Sequence, residues 1–350
     1  MEEANVTSIS EFLLLGLSED PEQQQLLFTP FLTMYLLTGL GNLLIIMAIA
    51  TDSRLHTPMY FFLANLAFVD ICFTSTTVPK MLAGHVTGSR AIPYAGCLTQ
   101  MFFFIWLAGT DSFLLTAMAY DRYAAICHPL QYLASVTPRL CSLLVVASWM
   151  AALGNALTHT LLLTRLSFCT HNRVPHFFCD LSPLLKLACS DTFLNNVMVY
   201  TVGALPIITP FVGILGSYTR IFAAVLKIPS AGGKRKAFST CGSHLSVVSL
   251  FYGTLIGVYF SPMSSHTAQK DTAAAVMYTV VTPMLNPFIY SLRNGDMKGA
   301  LGALVGRKSL LCAWACGSLP ASTQILLHRC FVHTGRTAET PETGRRAVNP

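Results

Sequence analysis

The stretch that decides the fold runs from Met118 to Tyr132 and reads Met-Ala-Tyr-Asp-Arg-Tyr-Ala-Ala-Ile-Cys-His-Pro-Leu-Gln-Tyr. It follows an apolar segment, residues 102–119, that contains no basic residue. Arg122 therefore stands at the edge of an apolar segment, where an unpaired charge in hydrocarbon is costly. Asp121 supplies an anionic partner, so we expect the pair at the depth where lipid gives way to cytosol.

The composition excludes a soluble protein. Of the 350 residues, 53% are hydrophobic and only 11% are charged, and the mean hydropathy is +0.55. Soluble domains carry roughly 25% charged residues, so these charges are too few to cover a soluble surface of this size. The net charge of +6 comes from basic residues that flank apolar runs, which excludes nucleic acid as a partner.

Seven runs approach or exceed the roughly 20 apolar residues that a membrane span needs. The predicted spans are residues 26–50, 59–82, 95–119, 140–163, 196–226, 238–261 and 272–292. The second span contains Asn65, Asp70, Pro79 and Lys80, so we expect it to be the least hydrophobic. The fold class is therefore an all-α, seven-helix membrane bundle, and an odd number of spans places the two termini on opposite sides.

Basic residues set the predicted orientation, because cytoplasmic loops are enriched in Lys and Arg. With the N-terminus outside, sixteen Lys and Arg residues lie inside and six lie outside. Asn5 begins an N-glycosylation acceptor, Asn-Val-Thr, which is usable only on the lumenal side. We therefore predict an extracellular N-terminus over residues 1–25, a helix bundle over 26–292 and a cytoplasmic tail over 293–350, with a short helix and then an atypical, disordered extension.

Several motifs resemble one family. Asp-Arg-Tyr at the inner end of an apolar helix resembles the switch of rhodopsin-like G-protein-coupled receptors, and its extension Met-Ala-Tyr-Asp-Arg-Tyr-x-Ala-Ile-Cys resembles the olfactory receptor family. The stretches at residues 55–63, 236–245 and 283–294 also match that family's motifs. The resemblance covers about residues 5–300, and the tail departs from the family's pattern beyond about residue 306.

The resemblance implies an odorant receptor rather than an enzyme. Small, mainly neutral volatile ligands would bind in the outer half of the bundle, and a stimulatory heterotrimeric G protein would raise cyclic AMP. The implied location is the plasma membrane, in the cilia of olfactory neurons. A receptor for a non-odorant small molecule is the alternative. An ion channel or transporter is less favoured, because only Asp70 and Asp111 could line a polar path.

The resemblance also assigns a switch at the inner end of the bundle. Arg122 would be held by Asp121 at rest and freed toward Tyr218 when the sixth helix moves outward. Pro287 would let the seventh helix bend, because proline interrupts one helical hydrogen bond. The assigned switch residues are Asp121, Arg122, Tyr123, Tyr218, Asn286, Pro287 and Tyr290. The basic run Lys234-Arg235-Lys236 could instead anchor anionic membrane lipid.

Two carboxylates are expected inside the membrane. Asp111 precedes Arg122 by eleven residues, about three helical turns, and Asp70 reaches a similar depth from the opposite direction. The resemblance places both near Asn42 and Asn286. Two neighbouring carboxylates in low dielectric cannot both stay charged and unpaired. The hypothesis is a sodium or proton site that favours the inactive state, and the alternative is a hydrogen-bonded polar core without an ion.

The cysteines divide by compartment. Four are predicted on the outer side, where thiols oxidise, and the sequence alone leaves three pairings open. The resemblance favours Cys97–Cys179 and Cys169–Cys189. His176 near Cys179 could be read as a metal site, but a disulfide would remove the thiolate ligand, so we predict no metal. The cysteines expected to stay free are Cys72, Cys127, Cys141 and Cys241.

A ligand cavity is expected among the third, fifth, sixth and seventh helices. Phe104 stands where an amine receptor would need an acid, and no acid lies nearby, which favours a neutral ligand held mainly by shape. The alternative is that these residues only pack helices together. The candidate ligand-contacting residues are Phe104, Ile105, Ala108, Gly109, Val202, Pro206, Tyr252, Leu255, Ile256, Tyr259 and Thr279.

Overall fold

The computed structural model describes residues 9–17, 21–169, 172–259, 268–304 and 306. Asn5 and the side chains of Ile256 and Tyr259, predicted to act as a glycosylation site and as ligand contacts, lie outside the described residues. The helical segments are α1 (Pro21–Thr51), α2 (Pro58–Thr87), α3 (Tyr94–Cys127), α4 (Tyr132–Ser135), α5 (Pro138–Leu163), α6 (Leu181–Leu187), α7 (Phe193–Met198), α8 (Leu205–Leu226), α9 (Ala231–Tyr259), α10 (Ala268–Val276) and α11 (Thr282–Arg293).

The long helices supply all seven predicted spans. The first three spans are α1, α2 and α3, and the fourth is α5. The fifth joins α7 to α8 through a π-helical turn at Val199–Gly203, and the seventh joins α10 to α11 through a second such turn at Met277–Val281. The sixth span is α9. The third helix runs to Cys127 rather than Ala119, which keeps Arg122 inside the helix.

Six described helices are long and apolar enough to cross a membrane by length and composition. The expectation that the second span is the least hydrophobic was wrong, because Pro58–Thr87 is more apolar than Thr272–Ser291. Among the helices that form the seven spans, as far as the structure describes them, the one that does not meet this criterion is α9, the sixth span. Its first turns carry Lys234, Arg235 and several small polar residues, which dilute the apolar stretch.

A proline follows each of the two π-helical turns. Proline has no backbone N–H, so the carbonyl four residues earlier loses its helical partner. Pro206 follows the first π-helical turn and Pro283 follows the second. The carbonyl of Thr279, which Pro283 leaves unpaired, accepts a hydrogen bond from Thr74 Oγ1 at 3.4 Å. The seventh span is thereby tied to the second at the point where its helix is irregular.

A three-stranded sheet covers one end of the bundle, which we call the disulfide face. Its strands are β1 (Glu11–Leu14), β2 (Ala91–Pro93) and β3 (Arg173–Val174), in the order β2-β1-β3. The N-terminal strand is central: β1 pairs antiparallel with β2 and parallel with β3. No strand was predicted for this segment, because four residues are too few to give a clear alternating pattern.

Side chains of β1 anchor the sheet to the bundle. Phe12 is 1% exposed and packs edge-on against Phe168 with ring centroids 5.3 Å apart. Leu14 is also buried, and both join a cluster that contains Met101 of the third helix. The alternation of exposed and buried residues in β1 is the pattern of a strand with one face on a core.

Both disulfides lie on the disulfide face, and the pairing expected from the resemblance is confirmed. Cys97 bonds to Cys179 across 82 residues and ties the third helix to the long loop, and Cys169 bonds to Cys189 within that loop. The cysteines expected to be free are also free, namely Cys72, Cys127, Cys141 and Cys241.

The chain divides into two compact units, residues 1–300 and 301–350. All seven spans and the sheet belong to the first unit. After Arg293, Asn294 caps a further helix: its Oδ1 accepts hydrogen bonds from the backbone N–H groups of Asp296 and Met297 at 3.0 and 3.3 Å. Of the second unit, the structure describes residues 301–304 and 306, which are helical.

Candidate functional site: polar core, Arg122 face and helix junctions

The polar core joins the first, second, third and seventh spans. Asn286 Nδ2 donates to both carboxylate oxygens of Asp70, at 3.1 and 2.8 Å. Asp111 is 5% exposed and near enough to Asp70 for their charges to interact. Among described atoms, Asp111 Oδ1, Asn42 Oδ1 and Asn286 Oδ1 are buried without a hydrogen-bond partner. The core therefore contains several oxygens that could bind a donor or a cation.

Pro287 explains why the first span carries Gly41 and Asn42. Because Pro287 has no N–H, the carbonyl of Pro283 lacks its helical donor, and Asn42 Nδ2 donates to that carbonyl at 3.2 Å. A Cβ on Gly41 would lie 3.0 Å from the Pro287 ring, so the glycine makes room for the proline. The two residues together bind an irregular stretch of the seventh span.

The pairing of Arg122 with Asp121 was predicted wrongly. Asp121 is 2% exposed and accepts a hydrogen bond from the Tyr132 hydroxyl at 2.7 Å. The Arg122 guanidinium instead donates to the sulfur of Met59. Consecutive helical residues point about 100° apart, so Asp121 faces α4 while Arg122 faces the bundle. Between described residues, the ion pair that forms is Arg54–Asp52.

Asp121 and Arg54–Asp52 hold the loops at this end, which we call the Arg122 face. Burial and the adjoining Asp121 carboxylate raise the pKa of Tyr132, which keeps the phenol protonated as a donor. Hydrogen bonds from Arg54 lower the pKa of Asp52 to about 2. Tyr123, another predicted switch residue, bonds through its hydroxyl to His128 Nε2 at 3.0 Å.

His244 is a residue of this region that the sequence analysis did not assign. Its Nε2 lies 2.9 Å from the carbonyl oxygen of Leu115, and its Nδ1 lies 2.9 Å from the Tyr218 hydroxyl. A carbonyl only accepts, so Nε2 carries the proton and the Tyr218 hydroxyl donates to Nδ1. The third, fifth and sixth spans are thus connected through one neutral imidazole. The motif that contains His244 was recognised, but a motif does not show which of its residues face inward.

A cavity of about 510 Å³ opens at the Arg122 face. It reaches Tyr290, whose hydroxyl is buried and unpartnered among the described atoms. Asn294 on its wall donates to the Tyr60 hydroxyl at 2.6 Å, and Ser243 donates to the carbonyl of Ile289 at 3.1 Å. The cavity is lined by Met59, Arg122, Gly232, Arg235, Ser239, Ser243, Tyr290, Asn294, Gly295 and Asp296.

In the half of the bundle toward the disulfide face, Phe104 is the centre of an aromatic group. Its ring lies 4.6 Å from Phe178 of the long loop and 5.2 Å from Phe73 of the second span, between centroids. Tyr278 of the seventh span is 6.2 Å away. Tyr252 of the sixth span packs on Phe211 at 4.9 Å. Aromatic side chains thus dominate the predicted ligand region.

Other predicted ligand residues make helix contacts. A Cβ on Gly109 would lie 3.0 Å from Ala152 of the fourth span and 3.7 Å from Pro206 of the fifth. Thr279 is fully buried and donates to the carbonyl of Ala275 at 2.7 Å. The partly buried residues among the predicted ligand contacts are Ile105, Ala108, Val202 and Leu255.

The comparisons with known proteins agree with this architecture. The family model described as "Olfactory receptor" matches residues 31–308. The chain belongs to the olfactory receptor family. The receptor is therefore a multi-pass protein of the plasma membrane and is not an enzyme.

Two relatives and one solved structure illustrate the similarity. The receptor is 65% identical over 301 residues to olfactory receptor 1f45 of Rattus norvegicus, a match that covers 86% of this chain and 96% of the relative. It is 62% identical over 307 residues to olfactory receptor 1F1 of Homo sapiens, with 88% and 98% covered. The crystal structure of squid rhodopsin superimposes with a TM-score of 0.64 at 16% identity, over 87% of this chain and 89% of that one.

Proposed function

We propose that the receptor binds small, mainly neutral volatile odorants and activates a stimulatory, olfactory-type heterotrimeric G protein, which raises cyclic AMP. The observation that carries this proposal is the cavity at the Arg122 face, into which Arg122 and Tyr290 project from two different spans. An opening between the inner ends of several helices is a site that a partner protein can enter. The ciliary membrane of olfactory neurons is the site of action that the family implies.

The proposed orientation places the disulfide face outside the cell. Disulfides persist in oxidising compartments and are rare in the cytosol. Both disulfides lie on one face, whereas the free thiols of Cys127, Cys141 and Cys241 lie toward the Arg122 face. The Arg122 face would then meet the cytosol, where the G protein resides, and Asn5 would be available for glycosylation.

Two exposed leucines support a docking surface beside the cavity. Leu130 is 101% exposed and Leu133 is 86% exposed, on the short connection that includes α4. Apolar side chains grouped in an exposed loop are typical of interaction sites. The neighbouring bases Arg220 and Lys227 would lie at the membrane surface and attract anionic lipid headgroups.

The proposed switch passes through His244. In this structure the Tyr218 hydroxyl donates to His244 Nδ1, which holds it toward the sixth span. Outward movement of the sixth span would carry His244 away from Leu115 and release Tyr218 toward Arg122. An odorant that packs better against the moved helices would shift this equilibrium, because a ligand favours the conformation that it binds more tightly.

The polar core is a proposed sodium site, and the residues fit such an ion. Hard cations prefer oxygen ligands, and Asp70, Asp111, Asn42 and Asn286 all present oxygens in one buried region. A bound sodium ion would offset one of the two carboxylate charges and favour the resting arrangement. The alternative, a hydrogen-bonded core without an ion, predicts that Asp111→Asn leaves the sodium dependence of signalling unchanged, whereas the sodium site predicts that this dependence is lost.

Other functions have weaker support. A receptor for a non-odorant small molecule would show the same switch and differ only in ligand. A channel or transporter would need a continuous polar path, and in the described region Asp70 is bound by Asn286. Currents that persist under voltage clamp without any G protein would favour a channel.

The test is a cyclic AMP reporter assay in cells, run against a chemically broad odorant panel with surface expression measured in parallel. Arg122→Ala should abolish every response at unchanged surface expression, because it removes the Arg122 guanidinium from the cavity. Arg139→Ala is the control, since it removes an exposed base at the same face outside the cavity. Responses that survive Arg122→Ala would contradict the proposed output mechanism.

A second pair of variants tests the docking surface. Leu130→Asp should lower the maximal response without changing the odorant concentration that gives half of it, because ligand binding occurs at the other face. Gln131→Asp is the matched control, because it places the same charge at an exposed position of the loop that contains Leu130. Leu143→Asp would be a poor control, since Leu143 faces lipid. An unchanged maximum in Leu130→Asp would exclude this loop from G-protein docking.

A further inference from the structure

Two polar side chains of the fourth span each bury one atom that has no hydrogen-bond partner. Asn155 is 9% exposed and His159 is 3% exposed. Among the described atoms, Asn155 Oδ1 and His159 Nε2 accept or donate no hydrogen bond. Buried polar groups in native proteins are nearly always paired, so an unpaired one indicates a partner such as water or a ligand. Neither residue was identified from the sequence, because a lone Asn or His in an apolar run gives no pattern.

Both side chains lie on the stripe of the fourth span that faces the bundle. They are four residues apart, and such residues are neighbours on one helix face. The same stripe includes Ala152, one turn away, which meets Gly109 of the third span. Asn155 and His159 therefore point toward the third and fifth spans rather than toward lipid.

The fifth span is shaped to receive His159. Its Nε2 lies 2.9 Å from the position that a Cβ on Gly203 would take, so the imidazole packs directly against the glycine and a side chain there would make it shift. Gly203 ends the π-helical turn Val199–Gly203. Such turns occur frequently at functional sites, and this one places an irregular backbone beside two unpartnered polar atoms.

The polar pair adjoins residues already expected to touch ligand. Gly109 packs between Ala152 and Pro206, so the region one turn further along the fourth span borders Ile105 and Val202. An odorant in the proposed cavity would thus meet this polar pair at the junction of three spans.

The chemistry of the two atoms favours a ligand group that can both donate and accept a hydrogen bond. Asn155 Oδ1 can only accept a hydrogen bond, whereas His159 Nε2 can donate when it carries the proton. A hydroxyl group satisfies both, since its O–H donates and its oxygen accepts. Ethers, ketones and esters lack the donor. We propose that Asn155 and His159 form a hydroxyl-binding subsite, so that the receptor prefers alcohols and phenols; this rests on the proposed odorant-binding function.

The first test compares odorants that differ only in the hydroxyl hydrogen. Octanol is paired with octyl methyl ether, and eugenol with methyl eugenol, in the cyclic AMP assay. The native receptor should respond to the hydroxyl member of a pair at a concentration at least about tenfold lower, as expected for one buried hydrogen bond with a desolvated partner. Equal potency within both pairs would overturn the proposal.

Variants assign the preference to the two residues. Asn155→Leu and His159→Leu should each remove most of the difference within a pair, because an apolar side chain binds an ether as well as an alcohol. His159→Gln should restore part of it, since its amide can reach the former Nε2 position. Thr158→Val is the control: it lies on the same helix, its hydroxyl bonds to the carbonyl of Gly154, and it should leave the preference unchanged.

A measurement without odorant separates this proposal from the proposed function. If the pair is kept for a ligand, purified ligand-free His159→Leu should melt at the same or a higher temperature than the native receptor, because no hydrogen bond is lost. If a structural water bridges the two residues, the variant should melt at a lower temperature, which would overturn the subsite. This result decides the proposal even when no odorant in the panel elicits a response.

Discussion

At the scale of single residues, the seventh span depends on what stands opposite Pro287. The proline removes one helical hydrogen bond, and the first span compensates with an amide from Asn42 and with the absence of a side chain at Gly41. The close approach of Gly41 to the proline ring follows from this pairing. A methyl group added there would press on a ring that cannot rotate away.

We therefore expect Gly41→Ala to destabilise the receptor by about 1 to 3 kcal/mol, the usual cost of overpacking. Gly39→Ala is a matched control, because a Cβ at that position meets nothing within 4 Å and alanine favours the helix over glycine. The measurement is the thermal unfolding of both variants in detergent. Equal melting temperatures for the two would show that the proline ring does not pack as described.

Asp180 gives a residue-scale prediction about pH. It caps α6 by accepting from the N–H of Leu181 at 2.8 Å, and burial raises its pKa from 3.8 to about 6. Between these values the folded loop binds a proton that the unfolded chain has released, so stability falls as pH rises through this window. Asp180→Asn keeps the cap without titrating. The melting temperature of the native receptor relative to this variant should decrease from about pH 4 to about pH 7; parallel curves would contradict the assignment.

At the scale of elements, the sheet on the disulfide face joins three segments that are far apart in the sequence. The central strand belongs to the N-terminus, and the outer two belong to loops that follow the second and fourth spans. Phe12 contributes most of the attachment, since it is fully buried beside Tyr94 and Phe168. Loss of this one side chain should loosen both loops together.

Phe12→Ala should cost about 3 kcal/mol, at the lower end of the range for a buried phenylalanine. Glu11→Ala is the control, because the Glu11 side chain is exposed on the same strand. Hydrogen exchange measured by mass spectrometry should show faster exchange at residues 91–93 and 173–174 in the Phe12 variant alone. Unchanged exchange in both loops would mean that the strand does not hold them.

At the scale of the whole molecule, the two disulfides differ in accessibility. Cys97 and Cys179 are both fully buried, whereas Cys169 and Cys189 are exposed. A water-soluble phosphine added to the folded receptor should therefore reduce Cys169–Cys189 first. Differential alkylation followed by mass spectrometry measures this order directly. Earlier labelling of Cys97 or Cys179 would show that the long loop opens as a unit.

Contacts between distant parts of the chain could be predicted where family motifs supply the contacting residues. The seven spans follow from apolar length, and the meeting of Asp70, Asn286 and Asn42 follows from family motifs rather than from any single stretch. Asp121 and Arg122 show the limit: adjacency in sequence suggested an ion pair, but helical geometry turns the two side chains apart. Two features depend on tertiary neighbours, so no local sequence pattern predicts them. They are the short strand β1 and the unpaired atoms of Asn155 and His159.

The central place of β1 has a consequence for biosynthesis. Residues 11–14 are made first, yet their parallel neighbour at residues 173–174 is made only after four spans have been threaded into the bilayer. At translation rates of about 5 to 20 residues per second, roughly ten seconds or more pass before β3 is made. During that time the backbone groups on one edge of β1 lack their hydrogen-bond partners. Chaperones would have that interval to bind it, and any epitope fused upstream must leave the Ser10 carbonyl free to accept its hydrogen bond from the N–H of Tyr94.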